Sequence, residues 1–442
     1  MNQHYTPSNN EDLQAHIQKL TLKEGLSHLD LLRPVGSQTS KSPCFQSQGT
    51  LIHLDHFQTL KRLENNQVEV GAGVILKDLL SFLDQKDLAL PNIGEWHGQT
   101  VGGAISTGTH GGSYFHGSVA SVVKSLTLVD GQGQVHTFQE EDPEFPHLLP
   151  SLGLTGIALS YVLQCEPSFT IDLKRHLLKF DDYLPRLLNP QGAEFQAAIW
   201  LPALDYVLDY SGERSDTIDP HALPQRETRF NTPTLILDWL SKKLAYAGRD
   251  FEGQTWRGRL ANRLAFWASR LLKPRQYSGL YHHMIAPLNG SAEAILKKRA
   301  RNRTPPEGEF AVSLTQAKAL IQELRALFAQ TGYYPDRPIG LRPAAAERGT
   351  LFASQGQAAV WVSLFIYPEN PLMQKIPKIL MRYQTRQHWG KCSFQPLSEI
   401  HQLYPQWSEF KTYRNRLDPQ GKFLNSFAQE LGLTPNQSKE DS

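Results

Sequence analysis

The segment Gly98–Gly117 reads GQTVGGAISTGTHGGSYFHG and holds seven glycines in 20 residues, against 32 glycines in the whole chain of 442 residues. Glycine loses more backbone entropy on folding than other residues, so a cluster indicates a structural or binding requirement. One explanation is a loop whose backbone N–H groups approach a phosphate closely, with the Thr107 and Thr109 hydroxyls beside them. The other is a set of tight turns between short strands. Glycine spacing alone leaves both explanations open.

A second glycine turn, Arg33–Ser40 (RPVGSQTS), lies between the first predicted helix and the first clear strand. Its glycine, hydroxyls and amide suit a diphosphate or the edge of a flavin, although an ordinary polar turn has the same composition. The sequence contains no G-x-G-x-x-G that opens a helix and no G-x-x-x-x-G-K-[ST]. A Rossmann dinucleotide site and a P-loop are therefore unsupported.

Short β-prone runs separated by glycine turns dominate the first third of the chain. After Gly71–Gly73, apolar residues between Ile75 and Leu83 recur at helical spacing. Asp130–Gly133 (DGQG) separates two β-prone runs and predicts a hairpin. Further strands are predicted at Ala197–Leu201 and Ala358–Tyr367. This mixture of strands and helices predicts an α+β protein.

Composition excludes several classes of protein. The formal net charge is +2, which gives no reason to expect a nucleic-acid partner. Three distant cysteines, Cys44, Cys165 and Cys392, exclude a disulfide scaffold and a cysteine zinc site, and no metal is expected. The polar N-terminus lacks a signal pattern, and no apolar run approaches the ~20 residues that span a bilayer. We therefore expect a cytoplasmic protein.

One basic stretch of the sequence is compatible with membrane association. Between Lys242 and Arg275 the sequence has nine Lys or Arg and two acidic residues. Within it, residues 256–271 place tryptophans and leucines on one helical face. Such a helix can lie on an anionic membrane surface. Packing of the apolar stripe on its own domain is the alternative.

Several motifs together resemble one family of flavoproteins. RPVGSQTSKSP, VEVGAGVILKDL, the glycine-rich segment, DGQGQV and LGLTGI are similar to the FAD-binding domain of the vanillyl-alcohol oxidase superfamily. Arg386–Lys391 (RQHWGK) resembles the H-W-x-K motif of its aldonolactone oxidase and alditol oxidase group. Leu417–Asn425 (LDPQGKFLN) resembles the closing motif of that group. The resemblance covers nearly the whole chain and is weakest over residues 206–300.

This resemblance implies a two-domain vanillyl-alcohol-oxidase-like fold. Residues 1–168 would form the FAD-binding domain, 169–405 a substrate domain with a large antiparallel sheet, and 406–442 a segment that returns to the first domain. The FAD diphosphate would lie between the turn at 36–40 and the loop at 102–112. The implied cofactor-binding residues are Pro34, Gly36, Ser37, Gln38, Thr39, Ser40, Gly102, Gly103, Ser106, Thr107, Gly108, Thr109, His110, Gly111, Gly156 and Ile157.

Two positions depart from the family pattern. The family often tethers its flavin through a histidine in a G-x-G-H-S turn, but here Thr39 takes the place of that histidine. A threonine hydroxyl does not form that bond, so we predict non-covalent FAD. The family also places an acid two residues before an arginine (E-x-R), whereas this chain has Gly340 two residues before Arg342. The general base is therefore unassigned.

Three residues are candidates for catalysis. Lys391 would direct its ammonium group at the N1–C2=O edge of the flavin, where negative charge develops during hydride transfer to N5. Arg342 would hold a substrate hydroxyl or carbonyl. His388 would orient the substrate or brace Trp389, and we favour bracing.

Four further residues, His110 in the glycine-rich segment and three on the substrate side, are considered beside these. His110 is expected to hold the shape of its loop. Tyr281, His282 and His283 are further contributors to consider, although such a histidine pair is more often structural.

The resemblance implies an FAD-dependent oxidoreductase that oxidises an aldonolactone, such as D-arabinono-1,4-lactone, or an alditol. Electrons would pass to O2 or to another acceptor. Two alternatives stay open: a flavoprotein of the same fold with a different substrate, such as a biosynthetic intermediate, and a membrane-surface protein in which FAD is structural. The missing acid favours the first alternative, and the basic segment is the only support for the second.

Overall fold

The computed structural model describes residues 3–21, 27, 30–215, 275–282 and 305–435. Two sheets, of three and five strands, are formed by the first part of the chain. The three-stranded sheet is parallel, in the order β1-β3-β2, and the five-stranded sheet is antiparallel, in the order β4-β5-β9-β7-β8. The strands are β1 (Gln3–Tyr5), β2 (Leu32–Val35), β3 (Thr50–His53), β4 (Leu60–Arg62), β5 (Gln67–Gly71), β6 (Leu88–Ala89), β7 (Val123–Val129), β8 (Val135–Gln139) and β9 (Ile157–Gln164).

Three helices pack around these strands: α1 (Asn10–Thr21), α2 (Leu76–Asp84) and α3 (Val101–Thr107). The predicted helix after Gly71–Gly73 is confirmed as α2, which buries Leu76, Leu79, Leu80 and Leu83. The predicted hairpin is also confirmed, because β7 and β8 pair antiparallel on either side of Asp130–Gly133. These elements share one apolar core.

The glycine-rich segment contains a helix that neither sequence-based explanation included. Helix α3 begins after Thr100, whose hydroxyl accepts a hydrogen bond from the Gly103 N–H at 3.1 Å. It ends at Gly108, which has a left-handed conformation with φ of 70°. A threonine N-cap and a glycine C-cap thus stabilise a short helix despite two internal glycines. Residues 102–112 are therefore not a continuous loop.

A larger sheet of eight strands is formed by the second part of the chain, in the order β14-β11-β13-β12-β16-β17-β15-β18. All of its neighbouring strands are antiparallel. A two-residue strand, β10 (Glu166–Pro167), pairs with β6 instead. The sheet strands are β11 (Thr170–Lys179), β12 (Phe195–Leu201), β13 (Tyr206–Ser215), β14 (Arg275–Leu280), β15 (Glu307–Ser313), β16 (Ile339–Ala344), β17 (Ala359–Phe365) and β18 (Arg386–Gln387).

Six α-helices of the described residues lie between these strands or follow them in the sequence, and three of the six pack against the sheet. A second apolar core joins the sheet to the longest of them, Leu314–Thr331. The helices are α4 (Phe180–Leu187), α5 (Leu314–Thr331), α6 (Ile376–Arg382), α7 (Leu397–Ile400), α8 (Trp407–Leu417) and α9 (Ser426–Glu430). The predicted α+β class and the large antiparallel sheet are confirmed.

The C-terminal segment contacts the first part of the chain again. The Lys422 ammonium donates to the Gly131 carbonyl at 2.6 Å, and the Leu32 N–H donates to the Lys422 carbonyl at 2.7 Å. The Asn425 amide donates to the Cys44 carbonyl at 3.0 Å. These contacts agree with a returning segment, while the domain boundaries at 168 and 405 stay predictions.

The basic segment 256–271 lies outside the described residues, and so does His283. Among the helices that the structure describes, none combines the length and apolar character that a membrane crossing requires. The membrane-surface interpretation of residues 256–271 therefore stays a prediction.

Candidate active site

A cavity of about 1510 Å³ lies between the glycine-rich segments and the eight-stranded sheet. This volume exceeds the ~300–1,000 Å³ of most small-molecule pockets, so it accommodates a large cofactor together with a substrate. One end is lined by most residues of two glycine-containing segments, 34–40 and 102–111. The other end is lined by charged side chains from sheet strands and from loops. We call these the glycine end and the charged end.

The glycine end presents hydrogen-bond donors that the protein itself does not use. The backbone N–H groups of Ser37, Gln38 and Ser40 donate to no other described residue, and the same holds for His110 and Gly111. All five residues line the cavity. Unpaired N–H groups on two sides of a cavity fit an anionic diphosphate. The donor set therefore fits the diphosphate of FAD.

Glycine is required here for a second reason, the close approach of one backbone to another. A Cβ atom on Gly36 would lie 2.2 Å from the Thr100 hydroxyl that caps α3. A Cβ atom on Gly111 would lie 2.1 Å from Asn92 Oδ1 and 2.5 Å from the Ile93 carbonyl oxygen. The glycines thus bring the two sides of the cavity wall together as well as exposing their N–H groups.

The structure brings most of the predicted cofactor-binding residues to this cavity. Two do not line it: Gly108 caps the end of α3, and the Ile157 side chain is fully buried in the apolar core. The residues that do line it are Pro34, Gly36, Ser37, Gln38, Thr39, Ser40, Gly102, Gly103, Ser106, Thr107, Thr109, His110, Gly111 and Gly156.

At the charged end, Lys391 lies within a group of ion pairs. Its Nζ is 2.6 Å from Glu307 Oε1 and 3.9 Å from Glu309 Oε2. Lys41 binds the other oxygen of Glu307. Burial alone would lower the pKa of Lys391, but Glu307 and Glu309 raise it above its usual value. The Lys391 ammonium is therefore charged at neutral pH.

Glu309 is the most deeply buried acid of this group, with 4% of its side chain exposed. The Ser363 hydroxyl donates to its Oε1 at 2.7 Å, and His110 Nε2 is 3.8 Å from its Oε2. Burial alone would raise the pKa of Glu309, but Lys391, His110 and Arg342 lower it well below its usual range. Glu309 is therefore a buried carboxylate with one oxygen hydrogen-bonded to Ser363 and the other near His110 and Lys391.

The two histidines of the charged end are neutral, because burial lowers the pKa of His110 to about 4 and that of His388 to about 3. The Gly390 N–H donates to His388 Nδ1 at 2.9 Å, which places the ring proton on Nε2. The His388 ring packs against Trp361 and His110, at centroid distances of 5.8 and 5.3 Å, rather than bracing Trp389 as expected.

His110, Glu309 and His388 each have a potential metal-ligand atom within 4.8 Å of the others. A metal needs a free lone pair on each ring, whereas His388 uses Nδ1 to accept a hydrogen bond and carries its proton on Nε2. The nearby Lys391 ammonium would also repel a cation. Each of the three side chains instead has a hydrogen-bond partner outside the group: Gly111 for His110, Ser363 for Glu309 and Gly390 for His388.

Arg342 lies on β16 and faces the cavity beside Gly340. Its Nη2 donates to Glu95 Oε1 at 2.6 Å. Gly340 pairs across the sheet with Ser363, and Ser363 pairs with Glu309 on the next strand. Strand β16 therefore has no carboxylate at the position where the family pattern has one. The acids near Arg342 belong to other elements of the fold.

Tyr281 and His282 occupy structural positions. Tyr281 lines the cavity, but its hydroxyl accepts from the Ile93 N–H at 3.2 Å and donates to Asn92 Oδ1 at 3.1 Å. His282 does not line the cavity and pairs with Asp84 at 2.7 Å. Neither residue presents a free group to a substrate.

Sequence reasoning missed three acids of the charged end: Glu95, Glu307 and Glu309. Glu307 and Glu309 alternate on one strand, so both point to the same face of the sheet. Two acids at that spacing in an otherwise apolar strand are a usable signal of a site. Glu95 follows a glycine in a loop, and nothing in its sequence surroundings indicates a site.

Comparison with known proteins places the chain in a family. Residues 162–431 match the family model described as D-arabinono-1,4-lactone oxidase, and residues 5–139 match that of an FAD binding domain. L-gulonolactone oxidase from Mus musculus is 26% identical over 420 residues, covering 90% of this chain and 89% of that protein. L-gulono-1,4-lactone dehydrogenase from Mycobacterium tuberculosis is 25% identical, covering 90% of both.

Solved structures of other proteins share the fold of this chain. Cholesterol oxidase from Brevibacterium sterolicum superposes with a TM-score of 0.72 at 16% identity, covering 98% of this chain and 94% of that one. The expected vanillyl-alcohol-oxidase-like fold is therefore confirmed. The glycine end, the matched FAD-binding domain and the match over more than half of the chain lead to one conclusion: the chain is an FAD-dependent oxidoreductase that belongs to the D-arabinono-1,4-lactone oxidase family.

Proposed function

We propose that this enzyme oxidises a neutral polyhydroxylated molecule, an aldonolactone or an alditol, at the charged end of the cavity, with FAD held non-covalently at the glycine end. The observation that carries the proposal is the set of ion pairs around Lys391 and Arg342. The relatives named as L-gulonolactone oxidase and D-arabinono-1,4-lactone oxidase support the lactone class.

The charge balance of these ion pairs favours a neutral substrate. Three cations, Lys41, Lys391 and Arg342, pair with the three carboxylates Glu95, Glu307 and Glu309. Within these ion pairs an anionic sugar acid would meet carboxylates whose cations are already paired, whereas hydroxyl groups can both donate and accept in such a site. A sterol would remove water from these charges and would offer hardly any hydrogen-bonding groups in return.

Lys391 and Arg342 would have different roles. FAD, when bound, supplies the acceptor for the hydride that leaves the substrate carbon. The Lys391 ammonium, kept charged by Glu307 and Glu309, would stabilise negative charge on the cofactor in a water-poor site. Arg342 would use the guanidinium N–H groups that do not bind Glu95 to hold a substrate oxygen.

The experiment that tests the function is anaerobic addition of substrates to the holoenzyme, with the flavin absorbance as readout. The panel contains aldonolactones, alditols, the matching sugar acids and a sterol. We expect lactones or alditols to bleach the flavin, while sugar acids and the sterol leave it oxidised. If none of the neutral compounds bleaches a flavin that dithionite reduces, the proposal is wrong.

Two further properties are measurable on the same sample. Because Thr39 replaces the tethering histidine, acid precipitation should release the flavin into the supernatant; flavin retained in the pellet would contradict this. The relatives include enzymes named as oxidases and as a dehydrogenase, so the electron acceptor needs its own measurement. We propose O2 as acceptor, and reoxidation of the reduced enzyme by air within the turnover time would support it.

A further inference from the structure

The absent acid of the E-x-R pattern leaves open which carboxylate faces the substrate. Gly340 and Arg342 are two residues apart on β16, so they point to the same face, and both line the cavity. Gly340 offers no side chain there. A Cβ atom on Gly340 would already lie 3.2 Å from Ser363 Cβ, so the sheet is closely packed at this point.

Three carboxylates line the charged end, and two of them lie inside the group of ion pairs. Glu307 binds Lys391 with one oxygen and Lys41 with the other. Glu309 accepts from Ser363 with one oxygen, and its other oxygen lies 3.8 Å from His110 and 3.9 Å from Lys391. Both side chains are largely buried, so little of either acid is reachable by a substrate.

Glu95 differs from both. Its Oε1 accepts from Arg342 Nη2 at 2.6 Å, and its Oε2 accepts from no other described residue. Its side chain is 38% exposed, against 12% for Glu307 and 4% for Glu309. Because Glu95 lines the cavity, this exposed part is reachable from the interior of the cavity.

We propose that Glu95 supplies the substrate-binding carboxylate that is absent at Gly340, and that together with Arg342 it recognises hydroxyl groups of the substrate. Glu95 comes from the loop between β6 and α3, so the acid and the arginine are 247 residues apart in sequence. The inference rests on the proposed function, because it assumes a polyhydroxylated substrate at this end of the cavity.

The chemistry of the pair defines what it recognises. A carboxylate oxygen only accepts hydrogen bonds, and a guanidinium only donates them. A hydroxyl placed between the two donates to Glu95 Oε2 and accepts from Arg342, and neighbouring hydroxyls satisfy both partners. A ketone oxygen offers no donor to Glu95, and the carboxylate group of a sugar acid would be repelled by it. The pair therefore favours neutral compounds with adjacent hydroxyl groups.

The test compares Glu95→Ala and Glu95→Gln with the wild-type holoenzyme in anaerobic titrations, which give the substrate Kd from the flavin spectrum. Loss of a hydrogen bond to a charged group predicts a Kd about 10- to 100-fold higher for Glu95→Ala. Glu95→Gln should fall between this variant and wild type, since its amide oxygen still accepts. Flavin content and the rate of dithionite reduction should stay unchanged.

A matched control is Glu140→Ala, which removes an acid from an exposed pair with Lys124 outside the cavity. It should leave the substrate Kd at the wild-type value. A panel of deoxy-alditols adds a second readout: an analogue that lacks the recognised hydroxyl should bind wild type weakly and be insensitive to Glu95→Ala.

The outcomes separate the two proposals. If wild type responds to lactones or alditols and Glu95→Ala binds them within twofold of wild type, the assignment of Glu95 is wrong while the proposed function stands. If every deoxy analogue remains as sensitive to the substitution as its parent compound, the assignment is also wrong. If wild type responds to no neutral polyhydroxylated compound, the proposed function fails and the inference fails with it.

Discussion

The two ends of the cavity are built in opposite ways. The glycine end consists of two short segments, 34–40 and 102–111, in which five backbone N–H groups donate to no other described residue. The charged end consists of side chains that are distant in sequence, with Glu307 and Arg342 on strands and Glu95 and Lys391 in loops. In the proposed function, FAD would be held by backbone donors, whereas the substrate would meet side chains that single substitutions can change.

This difference predicts that substitutions will separate cofactor binding from chemistry. Changes at the charged end should abolish or weaken turnover while FAD stays bound. Changes at the glycine end should release FAD while the chemistry of the remaining holoenzyme is preserved. The predictions below are ordered from the largest expected effect to the smallest.

Lys391→Met should have the largest effect. It removes the ammonium group that lies 2.6 Å from Glu307 and leaves that acid paired with Lys41. Loss of a preorganised charge at a reacting centre lowers the limiting rate by roughly 100- to 1000-fold. Stopped-flow reduction of the flavin measures this rate. Lys124→Met, in an exposed pair with Glu140, is the control. A variant that loses its FAD, or reduces at nearly the wild-type rate, would contradict the division between the two ends.

Gly111→Ala should act on cofactor binding instead. The new Cβ would lie 2.5 Å from the fixed Ile93 carbonyl oxygen, and overpacking of this kind costs about 1–3 kcal/mol. We expect FAD to bind roughly 10- to 100-fold more weakly, measured by titration of the apoprotein. Gly212→Ala is the matched control, because its Cβ would meet no atom closer than 3.5 Å. Equal FAD affinity in the two variants would argue against the role of close backbone packing.

The last prediction concerns the stability of the fold at low pH, rather than turnover or FAD binding, and it rests on the histidines of the charged end. Burial lowers the pKa of His110 to about 4 and that of His388 to about 3, whereas both titrate near 6.5 when unfolded. Below pH 6.5 the unfolded chain binds protons that the folded chain does not. Their contribution to stability is therefore complete above pH 6.5 and is lost as the pH falls towards 4. The loss is at most ~1.4 kcal/mol per pH unit for each histidine.

Urea unfolding between pH 7 and pH 4 measures this slope. The lowered pKa of Glu309 also makes the free energy of unfolding decrease as the pH falls. Some pH dependence of stability should therefore remain after one histidine is removed. His388→Asn should flatten the slope relative to the wild-type protein. An unaltered slope in His388→Asn would show that this ring is not kept neutral by folding.

The sequence predicts the glycine end better than the charged end. The hairpin at Asp130–Gly133, helix α2 and the main strands follow from local patterns, because turn residues and apolar spacing act over a few residues. Helix α3 was missed because VGGAIST has poor helix propensity, although its flanking Thr100 and Gly108 are good caps. Those caps are a local signal that glycine spacing alone does not contain.

The charged end is less predictable because tertiary structure creates it. Lys391 and Arg342 were identified through family motifs, but their acidic partners were not. Glu95 meets Arg342 only after the loop before α3 packs against β16. Strand pairing places Ser363 between Gly340 and Glu309, so these three residues lie side by side across the sheet. The spacing of residues within a single strand does not predict which residues of neighbouring strands become adjacent. Contacts of this kind require the register of three strands.

The most direct test of the whole account is the visible absorption spectrum of the purified full-length chain, recorded before and after titration with FAD. We expect the two absorption bands of oxidised flavin and saturation at one FAD per chain, since the free N–H groups of the glycine end fit its diphosphate. A colourless protein that takes up no FAD would contradict the account.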